Sequence, residues 1–350
     1  MTDIVLVAGA GGVGKTTLAA GIGVAAAREG RRTLVLTVDP ARRLATALGL
    51  KKLSNVADPN PDLDTLWAAM LDAGASWEAI ARRHAPPEVA ERLVASPFFD
   101  AIARQFPAGA AYAASEEMAE QVENGAWDLV VVDTPPSSGG IDFLTAPAQM
   151  RTLVGGRVLR MLTGGRLPGR KTFFDRATKP ALRLMDGILG GGLLQDVGDF
   201  LFDLRHTYDG IALRSKSIAA HMERAHMVLV TTNDPLPLIE ADRFVAERPG
   251  NTRTPIIVFN RTLPETWITA STTVTNPRLV ENLSRWAGEA AYQRDMRTDW
   301  TTRHELPVVD VPWQADTPND IGVLETLADP IWVRLDIAPI RLQGPETPVN

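Results

Sequence analysis

The chain has 350 residues, 45% hydrophobic and 22% charged, the balance of an ordinary globular protein with room for one large or two medium domains. A net charge of −6 argues against a general nucleic-acid-binding surface, and the absence of cysteine excludes disulfides, thiolate metal sites and cysteine nucleophiles together. No run of about 18 uncharged apolar residues occurs, and Met1-Thr2-Asp3 leads straight into "IVLVAG" with no charged and apolar leader, so a cytoplasmic protein without a transmembrane segment is expected.

In chain order, a strand at Ile4–Val7 runs into the glycine-rich "GAGGVGKTT", and a small-residue helix, Thr17–Arg28, follows. A second strand, Thr33–Val38, ends in "VDPARRL", and Thr65–Ala73 is a further strand candidate. Residues 76–125 are rich in Ala, Glu and Arg and predict helices broken at Pro86, Pro87, Pro97 and Pro107. A strand at Leu129–Val132 ends in "DTPP"; residues 150–224 again predict helices, with glycine breaks at "TGGRLPGR" and "LGGG". Strands follow at Met227–Thr231, Ile256–Phe259 and Val308–Val311, and the tail after Leu335 carries three prolines.

Six short runs that are apolar on both faces and separated by helical stretches predict an α/β fold: a mostly parallel sheet covered by helices. The expected core comprises residues 1–75, 126–149 and 225–335. Residues 76–125 and 150–224 form an inserted helical subdomain, and 336–350 are a tail.

Gly9 to Thr16 match G-x-x-x-x-G-K-[ST] between a strand and a helix, the context that a phosphate-cradling loop needs. Glycines let backbone N–H groups turn inward as an anion nest, and the helix N-terminus adds a positive dipole end. Lys15 would reach the β- and γ-phosphates, and the Thr16 hydroxyl would ligate Mg²⁺. The alternatives are a plain strand-to-helix turn or a dinucleotide loop, since Gly9, Gly11 and Gly14 also fit G-x-G-x-x-G. The Lys-Thr pair and the "VDP" favour a phosphoanhydride. In parallel sheets ligands sit beyond the carboxyl ends of the strands, so Asp39 and Asp133 should face the same edge as Lys15. Asp133 after four apolar residues suits a magnesium-holding acid, and Asp39 a general base for the attacking water. Either aspartate could instead be a helix N-cap.

At this point the chain resembles the deviant-P-loop ATPases of the ArsA-like group, which includes arsenical-pump and tail-anchored-protein-targeting ATPases. "GAGGVGKTT" resembles the family's GKGGVGKTT; "VDPARRL" resembles its switch I; "VVDTPPSSGGIDFL" resembles its switch II. "PIIVFNRT" resembles the strand whose terminal Asn, here Asn260, reads adenine, and "VPWQADTPNDIGVLETLA" the loop that closes over adenine from Pro312. "LLQDVGDFLFDLRHTYDGIALRSKSI" resembles the helical segment of actinobacterial-looking members. The resemblance implies binding of ATP with Mg²⁺ by Gly11, Gly12, Val13, Gly14, Lys15, Thr16 and Thr17. It also implies an ATPase working as a nucleotide-gated dimer, with a hydrophobic or membrane-protein client and a cytoplasmic or membrane-peripheral location.

Three departures qualify it. Ala10 stands where the family has a lysine that crosses the interface to the partner's phosphates, an arginine-finger-like role. Ser138 and Gly139 replace a Gly and a His of switch II, which puts the relay to a client site in doubt. The lack of cysteine excludes the thiolate metalloid site and the interfacial zinc staple, and arsenite pumping with them. A heterodimer with a lysine-bearing paralogue is therefore expected, against slow self-sufficient turnover, a non-catalytic regulatory subunit, or a ParA/MinD-type ATPase. Leu193, Val197, Phe200, Leu201 and Leu204 form an apolar helical stripe that suits subdomain core better than a client groove. Arg157 and Arg160 beside "GGRLPGRK" suit a solvated loop, and the scattered histidines 84, 206, 221, 226 and 304 predict no metal site.

Overall fold

The computed structural model describes residues 1–38, 43–99, 107–135, 138–155, 193–273, 276–315, 318 and 320–338. These divide into two compact units, Met1–Leu71 with Glu120–Ile141 and Glu223–Asn350, and Asp72–Ala119 with Asp142–Met222.

The first unit is built on one eight-stranded sheet. Its elements open with β1 (Asp3–Gly9), α1 (Lys15–Arg28), β2 (Thr33–Thr37), the short α2 (Arg43–Ala47), β3 (Asp58–Asn60) and β4 (Leu63–Met70). In the second unit come α3 (Ala73–His84) and α4 (Pro87–Ala95), and α5 (Pro107–Glu123) then leads to β5 (Leu129–Asp133). Next are α6 (Ser138–Gly155), α7 (Leu193–Leu204) and α8 (Tyr208–Arg224). The chain completes the sheet with β6 (His226–Thr231), α9 (Pro235–Glu247), β7 (Ile256–Thr262), α10 (Pro277–His304), β8 (Val308–Pro312) and α11 (Ile321–Leu335).

The strand order is β3-β4-β2-β5-β1-β6-β7-β8, and every pair is parallel except β3 with β4. β2 and β5 are buried along their whole length and β1 on all but its first residue, because helices cover both faces of a parallel sheet. The apolar runs of the sequence become β1, β2, β5, β6, β7 and β8, and Thr65–Ala73 contributes to β4. The antiparallel edge β3 had no sequence signal, since Asp58-Pro59-Asn60 has turn composition. Alanines and glycines along α1 let it lie close to α11, whose Leu324, Ala328 and Ile331 are buried in the same core cluster as Leu18, Ile22 and Val24. The helix begins at Lys15, two residues before the expected Thr17, with Gly14 as its cap.

The second unit is helical. Asp72 caps α3 by accepting from the Ala75 N–H at 3.1 Å, and Pro87 opens α4 at the position where a missing N–H costs nothing. Trp77 stacks near Tyr112 and donates its indole N–H to the Gly109 carbonyl at 3.1 Å. Phe200 is buried and packs against Phe98, as expected for subdomain core, while the side chains of Leu193 and Val197 are not described. Arg157 and Arg160 lie outside the described residues. Among the described residues no helix is long and apolar enough to cross a membrane.

Candidate functional site

The parallel strands bring their carboxyl ends to one edge, and the connection from β5 to β6 passes over β1, which lies between them in the sheet. Asp133 ends β5 in register with Val7 of β1 on one side and Thr37 of β2 on the other. Gly9, at the end of β1, lies against the Val230 carbonyl of β6, so close that a Cβ there would collide with it.

From Gly9 the loop turns outward through Gly11 and Gly12, which are exposed, and back through Val13, which is buried as a plug. Gly14 caps α1 in the left-handed conformation, φ 99° and ψ 18°, which L side chains rarely adopt. Its other constraint is spatial: a Cβ would run into the Asn260 amide nitrogen. Lys15 is only 7% exposed, and its ammonium curls back to donate to the Ala10 carbonyl at 2.8 Å. The Thr16 hydroxyl donates to Asp133 Oδ2 at 2.7 Å, and the Thr37 hydroxyl donates to the same oxygen at 3.0 Å. Asp133 itself is 1% exposed. A carboxylate so deeply placed is held by hydroxyl donors on α1 and β2 and not by solvent.

The other end of the loop is tied to β7. Asn260 donates its amide to the Val13 carbonyl at 2.7 Å, and its oxygen accepts from the Arg261 N–H at 2.9 Å. Asn260, Arg261, Pro312 and Trp313 line a cavity of about 250 Å³ with Gly14 and Thr17. A second cavity of about 140 Å³ lies on the other flank, lined by Gly9, Ala10, Leu229, Glu240, Arg243 and Phe244. Lys15, Thr16 and Asp133 thus stand together, Asn260 and Pro312 share one cavity, and Asp39 lies outside the described residues. Thr37 was missed by sequence reasoning, although a terminal hydroxyl in the otherwise apolar "LVL" context of β2 was a legible sign. Arg261, Trp313, Glu240 and Arg243 carried no sign in one sequence, because their relation to the loop is made by tertiary contact.

A central parallel sheet, a glycine loop opening onto a helix, a buried lysine in the loop and a hydroxyl–carboxylate pair beside it define a P-loop NTPase of the α/β class. Residues 2–329 match the ArsA ATPase family, described as anion-transporting ATPase. The chain belongs to that family. It is similar to the uncharacterized protein SCO2128 of Streptomyces coelicolor, 31% identical over 183 residues, which is 52% of this chain and 44% of the relative. It is also similar to the ATPase GET3 of Ajellomyces dermatitidis, 24% identical over 245 residues, 69% of this chain and 67% of the relative. The Schizosaccharomyces pombe ATPase get3 is 26% identical over 151 residues, 43% and 45% of the two chains. The chain therefore spans less than half of SCO2128 and of the fission-yeast protein in these matches, and about two thirds of the Ajellomyces one.

Proposed function

We propose that this chain binds Mg-ATP on the Gly9–Thr16 loop and hydrolyses it to ADP and phosphate, as one subunit of a nucleotide-gated cytoplasmic dimer whose other subunit is a lysine-bearing paralogue. The observation that carries this is the convergence of Lys15, Thr16 and Asp133. A buried ammonium and a buried carboxylate stand at one loop, joined through neighbouring residues of α1. Buried charges are costly to keep, and a polyphosphate with its counter-cation is the ligand whose charges they complement.

The oxygens of Thr16 and Asp133, 2.7 Å apart, suit a magnesium site. Neighbouring ligands of an octahedral Mg²⁺ with bonds of 2.0–2.1 Å stand about 2.9 Å apart. Thr16 and Asp133 would hold the ion, directly or through a water, and when bound it neutralises charge on the β- and γ-phosphate oxygens. Lys15 would exchange the neutral Ala10 carbonyl for a phosphate oxygen, a stronger, charge-assisted bond. The N–H groups of Gly11, Gly12, Val13, Gly14, Lys15, Thr16 and Thr17 would cradle the phosphates, and Asn260 with the chain at Pro312 would hold the base. Asp39 would orient the attacking water. Loss of the γ-phosphate removes contacts that bias the subunit interface, which is how hydrolysis would open the pair and act on a hydrophobic client.

Ala10 also supports a second reading, a regulatory subunit that binds nucleotide only to assemble, because a buried methyl contributes no charge to the transition state. Steady-state ATP hydrolysis, measured for the chain alone and with lysine-bearing paralogues, separates the two. The primary proposal expects binding by the chain alone and at least about a tenfold gain in turnover with the right paralogue, well inside the 10³–10⁵ range of an arginine finger. A chain that binds but leaves every paralogue's turnover unchanged is regulatory. Indifference to millimolar adenine nucleotide in both settings overturns the proposal.

A further inference from the structure

Three non-glycine residues among those described have positive φ: Arg261, Glu305 and Asp336. Glu305 and Asp336 are the C-caps of α10 and α11, where a left-handed residue normally ends a helix. Arg261 is different. It lies within β7 at φ 60°, at an irregularity in the pairing with β8 between Asn260 and Thr262. Left-handed backbone in a non-glycine residue is unfavourable, and such strain persists only where surrounding contacts impose it.

The contacts that impose it come from the phosphate loop and from the next loop of the sheet. Asn260 holds the Arg261 N–H while its amide nitrogen holds Val13. Trp313 donates its N–H to the Thr262 carbonyl at 3.0 Å, which stitches the turn after β8 to the irregularity. As a result Arg261 is exposed between two buried neighbours and lines the 250 Å³ cavity with Trp313. Its guanidinium makes no hydrogen bond, ion pair or ring contact to any described residue. Trp313 stays 43% exposed, its ring edge-on to Trp267. A strained backbone thus presents a planar cation without a partner among the described residues, and an exposed indole, to one cavity, next to the start of the helix that follows the phosphate loop.

We propose that Arg261 is a specificity-determining residue, its guanidinium lying flat against the nucleobase so that the two-ring surface of a purine is preferred over a pyrimidine. This rests on the nucleotide-binding function proposed above. Guanidinium planes stack on aromatic rings, and the gain grows with the ring area covered. A contact through a planar face needs the fork itself, whereas attraction to the phosphates would need only its charge.

Three substitutions test this in equilibrium binding of ATP, GTP, CTP and UTP with Mg²⁺. Arg261→Gly relieves the left-handed backbone, so its melting temperature should rise by about 2–4 °C. At the same time affinity for ATP and GTP should fall about tenfold, affinity for CTP and UTP should change little, and the purine preference should collapse. Arg261→Ala should lose the same preference without the thermal gain. Arg261→Lys keeps the charge and lacks the plane, so it should resemble Arg261→Ala. Full affinity and full preference in Arg261→Lys would assign the residue to the phosphates and overturn the stacking role. Unchanged affinity and preference in Arg261→Gly would overturn any role in base binding. If the unaltered chain binds none of the four nucleotides, the nucleotide function itself fails and this inference falls with it. If it binds them and the variants match it, only Arg261 is misassigned.

Discussion

Asp133 Oδ2 receives two hydroxyls from two different elements, Thr16 of α1 and Thr37 of β2, and the two bonds have different consequences. Thr16, at the end of the phosphate loop, is the candidate magnesium ligand, while Thr37, on β2 and 1% exposed, is assigned the orienting of the carboxylate. Thr37→Val should therefore cost about 1.5 kcal/mol of stability, the lower end of what a hydrogen bond to a charged group contributes, and leave the magnesium requirement intact in an ATPase titration. Thr16→Val should shift the magnesium half-saturation upward, and Asp133→Asn should lower magnesium-dependent turnover by about 10- to 100-fold, the usual effect of disturbing a metal's supporting oxygens. If Thr37→Val moves the magnesium titration as far as Thr16→Val does, the division between ligand and orienting residue is wrong. At the loop itself, Gly14→Ala must both adopt φ 99° and displace Asn260, whereas Gly12, at φ 79°, has open space around it. Gly14→Ala should destabilise by about 1–3 kcal/mol and weaken nucleotide binding, and Gly12→Ala by about 1–2 kcal/mol at most. Thermal melts with and without nucleotide distinguish them.

Among the elements, the helical unit is pinned by charge more than its composition suggests. Glu116 of α5, with 4% of its side chain exposed, accepts from Arg83 of α3 at 2.5 Å and from Arg214 of α8 at 2.8 Å. Removing this carboxylate takes a buried anion from between two arginines, Arg214 among them largely buried, so Glu116→Ala should destabilise the unit by about 3–5 kcal/mol, read as a lower unfolding midpoint or earlier proteolysis. Next to this cluster, His84 packs against Gly210 of α8. Burial pushes the His84 pKa below its ordinary value; Glu116 opposes this and Arg83 and Arg214 reinforce it. The unfolded chain takes up this proton near the ordinary value of about 6.5, so the contribution of His84 is complete above that pH and is lost as the pH falls below it. The midpoint should decline between pH 7 and 5.5, with a shallower slope in His84→Gln; an equal slope would clear His84 of the effect. None of this was legible in the sequence, where Glu116 and Arg214 are two charges among many and 98 positions apart. The sheet was legible because buried parallel strands are apolar on both faces and bounded by turn residues. The phosphate loop was legible because its chemistry is local, nine consecutive residues from Gly9. The edge strand β3, the Thr37 bond and the Arg261 strain were not, since each is set by a partner distant in the chain.

For the whole molecule, the decisive position is Ala10. It is buried at the flank of the loop, its carbonyl accepts the Lys15 ammonium, and its side borders the 140 Å³ cavity with Glu240 and Arg243. Arg243 is also paired with Glu247 one turn along α9 at 2.8 Å, an exposed contact of a kind worth only about 0.3–0.5 kcal/mol. A longer side chain at position 10 therefore has space beside it and a carboxylate, Glu240, to meet its charge, so Ala10→Lys should fold with little change in melting temperature. In the dimer proposed above, the cost of the natural alanine would lie elsewhere, in a site that lacks a second cation beside Lys15 when the γ-phosphate leaves. If the dimer proposed above requires that cation from the opposite subunit, two copies of Ala10→Lys supply it to each other. The variant should then hydrolyse ATP at least about tenfold faster than the unaltered chain, a rise in kcat with little change in KM, because the charge acts on the transition state and not on the bound nucleotide. The rise should depend on protein concentration through dimer formation, and adding a lysine-bearing paralogue should no longer increase it. A variant that folds, binds ATP and turns over at the original rate would show that the alanine is not what limits this chain, and the case for a dedicated partner would lose its physical reason.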